Sequence, residues 1–179
     1  MRVLVVGGSG SGKSAYAEQV AAHLAKSRTY VATMRSDGSE ARERINRHRL
    51  QREGLGFHTV ECPDSLVPAV ATGRGGVVLV DDLGNLVANA LFLPDGSMAE
   101  PDAVLERLVG EVKALTLSFD HVVLVGVEVG AEGLYEHDST NVWVRLVGAL
   151  NCRIASTFDE VTEVVSGIPC PLKVKEVSA

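Results

Sequence analysis

Gly7-Gly8-Ser9-Gly10-Ser11-Gly12-Lys13-Ser14 follows directly on the apolar run Val3-Leu4-Val5-Val6. It fits the phosphate-cradling pattern G-x-x-x-x-G-K-[ST] in the strand, loop and helix context that the pattern needs. Glycines let the backbone curl until successive N–H groups point inward at phosphate oxygens. Lys13 then brings a point charge to the β- and γ-phosphates, Ser14 a hydroxyl for Mg2+, and the following helix its positive N-terminal end. The stretch therefore reads as a nucleoside triphosphate site built from Gly7, Gly8, Ser9, Gly10, Ser11, Gly12, Lys13 and Ser14. A flexible Gly/Ser turn is the bland alternative. Gly10-Ser11-Gly12-Lys13-Ser14-Ala15 also fits the dinucleotide fingerprint G-x-G-x-x-[GA]. That fingerprint wants an acidic residue at the end of the second strand, where the chain has Thr33-Met34-Arg35.

A triphosphate site of this kind calls for a carboxylate at the end of a buried strand, near the metal. Val77-Val78-Leu79-Val80-Asp81-Asp82 supplies one. Asp81 ends the run directly and is the candidate partner of Ser14 for Mg2+, while Asp82 can instead cap the helix that follows.

Outward from these two stretches, β-branched apolar runs recur at Val3–Val6, Thr29–Ala32, Phe57–Val60, Val77–Val80, His121–Val127 and Val161–Val165, with a last short strand at Pro171–Lys175. Helices are expected at Lys13–Ser27, Glu40–Arg52, Leu83–Leu91, Ala99–Leu117 and Thr140–Thr157. The alternation is that of an α/β fold with a mostly parallel central sheet and helices on both faces. With 179 residues, 46% of them hydrophobic, the expectation is one domain with one core.

The net charge of −6 argues against a general role on nucleic acid or a membrane surface, since phosphate backbones are bound by cationic excess. Cys62, Cys152 and Cys170 form no C-x-x-C pair, so neither a zinc site nor a disulfide framework is suggested and a reducing cytoplasm is the simplest home. No apolar run is long enough to span a bilayer.

Glu40, Arg44, His48 and Arg52 stand at four-residue spacing with Arg47 and Arg49 beside them, so they would share one helix face. Neighbouring positive charge disfavours the imidazolium, keeping His48 neutral and nucleophilic while offering phosphate oxygens a place to bind. That suits covalent transfer of a phosphoryl or nucleotidyl group through a ring nitrogen. A solvated helix face laced with Glu–Arg pairs is the competing reading.

In this order, the pieces resemble the bifunctional adenosylcobinamide kinase/adenosylcobinamide-phosphate guanylyltransferase family of cobalamin biosynthesis. The matching stretches are Gly7–Ser14; Tyr30-Val31-Ala32-Thr33; Arg44-Ile45 with His48 and Arg52; Thr59-Val60-Glu61; Val80-Asp81; Asn89; Glu128-Val129-Gly130; Gly148 with Asn151; Asp159; and Ser166-Gly167-Ile168-Pro169 with Leu172-Lys173. The resemblance implies a RecA-like P-loop fold. It implies Mg2+ with ATP and GTP as substrates, a corrinoid acceptor, and a homo-oligomer, specifically a trimer. It makes Lys13, Asp81 and His48 the catalytic residues, with His48 carrying a covalent guanylyl group. It also implies nucleotide contacts from Val31, Ala32, Thr33, Arg49, Arg52 and Glu61 in addition to the loop. The reaction implied is phosphorylation of the aminopropanol arm of adenosylcobinamide, then transfer of GMP from GTP through the histidine onto that phosphate.

Departures from the family pattern fall mostly in the second half. N-E-V-G becomes Val127-Glu128-Val129-Gly130, C-L-T after Asp81 becomes Asp82-Leu83-Gly84, R-x-F-R-D becomes Asn141-Val142-Trp143-Val144-Arg145, the proline position holds Tyr135, and Cys152 stands where glutamine is usual. A site built for hydrogen bonds discriminates strongly by them. Two other readings therefore stay open: a kinase without guanylyl transfer or with another acceptor, and a nucleotide-sensing protein without turnover.

Overall fold

The computed structural model describes residues 1–35, 43, 45, 46, 50, 52–73, 75–129, 135 and 137–175. In chain order the elements are β1 (Arg2–Val6), α1 (Lys13–Leu24), β2 (Arg28–Ala32), β3 (Phe57–Glu61), α2 (Val67–Thr72), β4 (Val77–Asp81), α3 (Leu83–Leu91), α4 (Pro101–Ser118), β5 (His121–Val125), α5 (Asp138–Thr157), β6 (Glu160–Val165) and β7 (Ile168–Lys173). They build a seven-stranded sheet of order β3-β2-β4-β5-β1-β6-β7. All neighbours pair parallel except the β6–β7 hairpin.

The runs Val3–Val6, Val77–Val80 and Val122–Val125 of the central strands β1, β4 and β5 are continuously apolar and buried because they are covered on both faces. Side chains alternate across a strand, so Val3, Val5, Val77, Leu79, Val123 and Val125 meet Ala17 and Ala21 of α1 on one face. Leu4, Val6, Val78, Val80, Val122 and Leu124 meet Leu83, Leu86, Leu108, Leu115, Leu146 and Leu150 of α3, α4 and α5 on the other. This packing aims the site: the loops after β1 and β4 leave the same edge of the sheet with β5 between them, and α1 runs back across β5 and β4.

Several boundaries differ from the sequence expectation. The short helix α2 carries no helical periodicity, and a buried tertiary contact starts it: the Glu111 carboxylate accepts from Leu66 N at 2.6 Å and from Ser65 Oγ at 3.2 Å. β7 begins at Ile168 rather than Pro171 and contains Pro169 and Pro171, which an outer strand tolerates since its outward side needs no ladder bond. β5 stops at Val125 instead of Val127, and α1 stops at Leu24 instead of Ser27. Of the expected helix Glu40–Arg52, Glu43, Ile45, Asn46 and Leu50 are helical and Arg52 lies in a turn; Glu40, Arg44, Arg47, His48 and Arg49 lie outside the described residues.

Candidate active site

Gly12 caps α1 at φ +91°, a left-handed backbone that a side chain strains. A Cβ there would also stand 3.4 Å from Gly167 Cα. The close neighbour is the β6–β7 turn, whose Gly167 N donates to Ser11 O at 2.8 Å and so braces the loop from behind. No side chain caps α1 and no acid occupies its first turn, which leaves its positive end available to an anion. Lys13 is buried, with Nζ donating to Gly8 O at 3.1 Å, so its charge is held inside the loop.

On α1, one residue further, Ser14 Oγ donates to Asp81 Oδ1 at 3.1 Å. The second carboxylate oxygen, Oδ2, accepts from Tyr30 OH at 3.0 Å. Tyr30 is two residues before Ala32, the β2 residue in register with Asp81 on β4, so its ring reaches along the sheet to the carboxylate. Asp82 caps α3, accepting from Asn85 N at 2.7 Å, the role left open for it by the sequence.

Two hard oxygens about 3 Å apart match adjacent corners of an Mg2+ octahedron, whose bonds are about 2.1 Å. The donor set therefore fits that ion, with phosphate and water oxygens completing its shell. Among the described residues no group of three or more His, Cys, Asp or Glu could hold a metal.

A cavity of about 350 Å³ opens above the loop. Ser9 to Ser14, Tyr30, Ala32, Met34, Ile45, Arg52, Thr59, Glu61, Asp81, Asp82 and Asn85 line it. The structure thus brings most of the sequence-derived set to one place: Ser9, Gly10, Ser11, Gly12, Lys13, Ser14, Ala32, Arg52, Glu61 and Asp81. Gly7 and Gly8 form the loop's base rather than the lining. Val31 alternates away from Tyr30 and Ala32 into the opposite core, and buried Thr33 donates through Oγ1 to Asp82 O at 2.8 Å. Their side chains therefore shape the site without facing the cavity. His48 and Arg49 lie outside the described residues.

Arg52 is 8% exposed, and its guanidinium carbon sits 3.4 Å from the Tyr30 ring centroid. Its NH1 is 3.8 Å from Glu18 Oε1, in a pair 7% and 5% exposed. Burial, then the facing Asp81 carboxylate, pushes the Tyr30 phenol far above its ordinary pKa, so it remains a donor throughout the physiological range. The sequence offered Tyr30 and Gly167 only as members of stretches shared with the family, and Glu18 not at all, so none of the three carried a role before the fold was in hand.

Three of the departures, Gly84, Val127 and Trp143, meet in space. A Cβ on Gly84 would stand 2.6 Å from Val127 Cγ1 and 3.6 Å from Trp143 Cζ2. Trp143 Nε1 donates to Gly84 O at 3.1 Å, and Asn151 Nδ2 to Val127 O at 3.2 Å. They form one packed unit beside the N-terminus of α3, next to cavity-lining Asp82 and Asn85.

Comparison with known proteins agrees with this geometry. The family profile "Cobinamide kinase / cobinamide phosphate guanyltransferase" matches residues 3–172. The chain is 33% identical to the bifunctional adenosylcobalamin biosynthesis protein CobP of Pseudomonas aeruginosa, covering 97% of this chain and 98% of that one. It is 32% identical to the bifunctional adenosylcobalamin biosynthesis protein CobU of Salmonella typhimurium, covering 97% and 100%. Among solved structures it is similar to an ATPase from the type III secretion system of pathogenic bacteria, with TM-score 0.51, 12% identity and coverage of 90% of this chain and 50% of that one. It is likewise similar to the ATP synthase subunit NeqB from Nanoarcheaum equitans, with TM-score 0.50, 14% identity and coverage of 90% and 45%. At such identity these likenesses speak for the fold alone, the RecA-like P-loop arrangement. With the loop, the strand-end carboxylate and the full-length match in place, the chain belongs to the cobinamide kinase/cobinamide phosphate guanyltransferase family.

Proposed function

We propose that this protein phosphorylates adenosylcobinamide with ATP or GTP and then transfers GMP from GTP, through a GMP-histidine intermediate on His48, to adenosylcobinamide phosphate, giving adenosylcobinamide-GDP. The observation that carries the reading is the Ser14 hydroxyl resting on the Asp81 carboxylate at 3.1 Å, directly under the phosphate loop, in a chain matched to this family from residue 3 to 172.

In the kinase step, the loop amides and Lys13 stabilise charge on the transferring γ-phosphoryl group while the acceptor hydroxyl oxygen attacks phosphorus and the bond to the β-phosphate oxygen breaks. Ser14 and Asp81 would hold Mg2+, which supplies charge neutralisation across the phosphates. In the guanylyl step, a neutral His48 nitrogen attacks the α-phosphorus and pyrophosphate leaves. The acceptor phosphate oxygen then displaces the histidine and takes the GMP. Glu61 offers carboxylate acceptors for the N–H edge of guanine, and Arg49 and Arg52 offer charge to the nucleotide.

Incubation with α-labelled GTP tests this directly. A covalent GMP adduct that is lost in His48→Ala and kept in His23→Ala supports the reading. No adduct in the wild type removes the transferase half, leaving the kinase reading, which the apolar unit of Gly84, Val127 and Trp143 favours. Tight GTP binding with no corrinoid phosphorylation and no pyrophosphate release would instead mark a nucleotide sensor.

The working unit would be one nucleotide-binding domain, cytoplasmic and assembled as a homotrimer. None of the described helices is long and apolar enough to cross a membrane. The outer β6–β7 hairpin leaves Val165, Ile168 and Leu172 exposed at 48%, 64% and 62%, an edge that a second copy would cover. Light scattering coupled to size exclusion reads the assembly.

A further inference from the structure

We infer that Tyr30 and Arg52 form a support that sets the orientation of Asp81, so that the metal-holding carboxylate and Arg52 are energetically coupled. The inference rests on the proposed metal site at Ser14 and Asp81 and assigns residues beyond it. Tyr30 is a positioning residue: it is 3% exposed, and its hydroxyl occupies Asp81 Oδ2 while Ser14 engages Oδ1. A carboxylate held at both oxygens cannot rotate about its Cβ–Cγ bond without losing a hydrogen bond, and outer partners of this kind tune metal affinity.

Arg52 closes over the other side of the same ring. Its cation lies against the ring face, where the aromatic quadrupole attracts it, and that field polarises the phenol O–H toward its acceptor. Arg52 comes four residues after His48 in the sequence. Two contacts fix its part of the chain to the fold. One is the Glu18 carboxylate on α1 at 3.8 Å. The other is the Arg28 guanidinium, which donates to Leu55 O as well as to Ala22 O at 2.9 Å and Ala25 O at 2.8 Å. Ser14 and Glu18 are both on α1, so this one helix carries a member of the metal pair and a partner of Arg52.

The test reads metal affinity independently of turnover and of nucleotide affinity: Mn2+ binding followed by electron paramagnetic resonance at a concentration of non-hydrolysable GTP analogue that saturates each variant, with thermal melting recorded on each variant. Tyr30→Phe keeps the ring under Arg52 and removes only the hydroxyl; Mn2+ affinity is expected to fall about tenfold. Arg52→Met keeps bulk without charge and is expected to weaken it about threefold or more, with Arg52→Lys restoring most of the loss. The double variant Tyr30→Phe/Arg52→Met is expected to bind Mn2+ no worse than Tyr30→Phe alone, because Arg52 acts through the phenol. Phe57→Leu removes the edge contact to the same ring, at 6.2 Å between centroids, and is expected to leave Mn2+ affinity within twofold while lowering the melting temperature.

Unchanged Mn2+ affinity in Tyr30→Phe overturns the proposal, as does full additivity in the double variant or a loss in Phe57→Leu equal to that in Tyr30→Phe. A wild type that binds no Mn2+ with the analogue overturns the metal site itself and this inference with it.

Discussion

Replacing Asp81 by Asn changes charge while keeping shape, and the surroundings make its two effects separable. Ser14 Oγ and Tyr30 OH each reach one carboxylate oxygen, at 3.1 and 3.0 Å. In the amide one of them still donates to the remaining oxygen. The other hydroxyl rotates and accepts from the new NH2, since serine and tyrosine oxygens both donate and accept. The stability change is therefore small, about 1 kcal/mol, or a melting shift of roughly 2–4 °C for a chain of this size.

The catalytic effect is much larger. A ligating carboxylate, its charge centre about 3 Å from a doubly charged metal, interacts by about 11 kcal/mol at an effective dielectric near 20. Rehydration of the metal offsets most of it. Deleting one preorganised group of this kind costs about 3 kcal/mol of transition-state stabilisation, which is more than a hundredfold in turnover. The assay is the initial rate of corrinoid phosphorylation across an Mg2+ titration, with a thermal melt on the same preparation. Turnover within threefold of wild type at equal Mg2+, in a variant that melts normally, refutes the assignment of Asp81 to the metal.

Gly12→Ala places a side chain at φ +91° and 3.4 Å from Gly167 Cα. About 1–2 kcal/mol of backbone strain is expected, and calorimetric titration should show triphosphate affinity down at least tenfold; unchanged affinity contradicts the loop geometry. Gly84→Ala puts a Cβ 2.6 Å from Val127 Cγ1 and is expected to cost about 1–3 kcal/mol by overpacking. Val127→Ala added to it restores part of that loss in a denaturant melt, whereas simple additivity denies that the two pack as one unit. Burial pushes the Cys62 thiol up, and its side chain is inaccessible while Cys152 is exposed. A thiol reagent at neutral pH labels Cys152 in the native protein and reaches Cys62 only after unfolding; prompt native labelling of Cys62 counts against the core.

The loop was legible because it is a local device: its glycines, Lys13 and Ser14 are contiguous and stand between a strand and a helix. Asp81 was legible because a carboxylate closing a wholly apolar strand is out of keeping with the residues before it. The central strands β1, β4 and β5 were equally plain, since their continuous apolar runs follow from burial on both faces. Tyr30 was not, because its role depends on β2 lying beside β4, a pairing between positions far apart in the chain. The brace that Gly167 gives the loop escaped notice for the same reason, as the β6–β7 turn reaches Ser11 only through the sheet order. Helix α2 was missed because the Glu111 carboxylate at its start, rather than periodicity, holds it. The departures at Gly84, Val127 and Trp143 looked like separate losses of polar groups along the chain. In space Gly84 makes room for Val127 and Trp143, and the three side-chain changes amount to one repacking.

The products made from adenosylcobinamide test the proposed kinase and guanylyltransferase activity most directly. With Mg2+ and GTP, mass analysis is expected to show adenosylcobinamide phosphate first and adenosylcobinamide-GDP with pyrophosphate after it, and His48→Ala is expected to stop at the phosphate. Unmodified adenosylcobinamide after incubation with either ATP or GTP, from protein that binds the nucleotide, would contradict it.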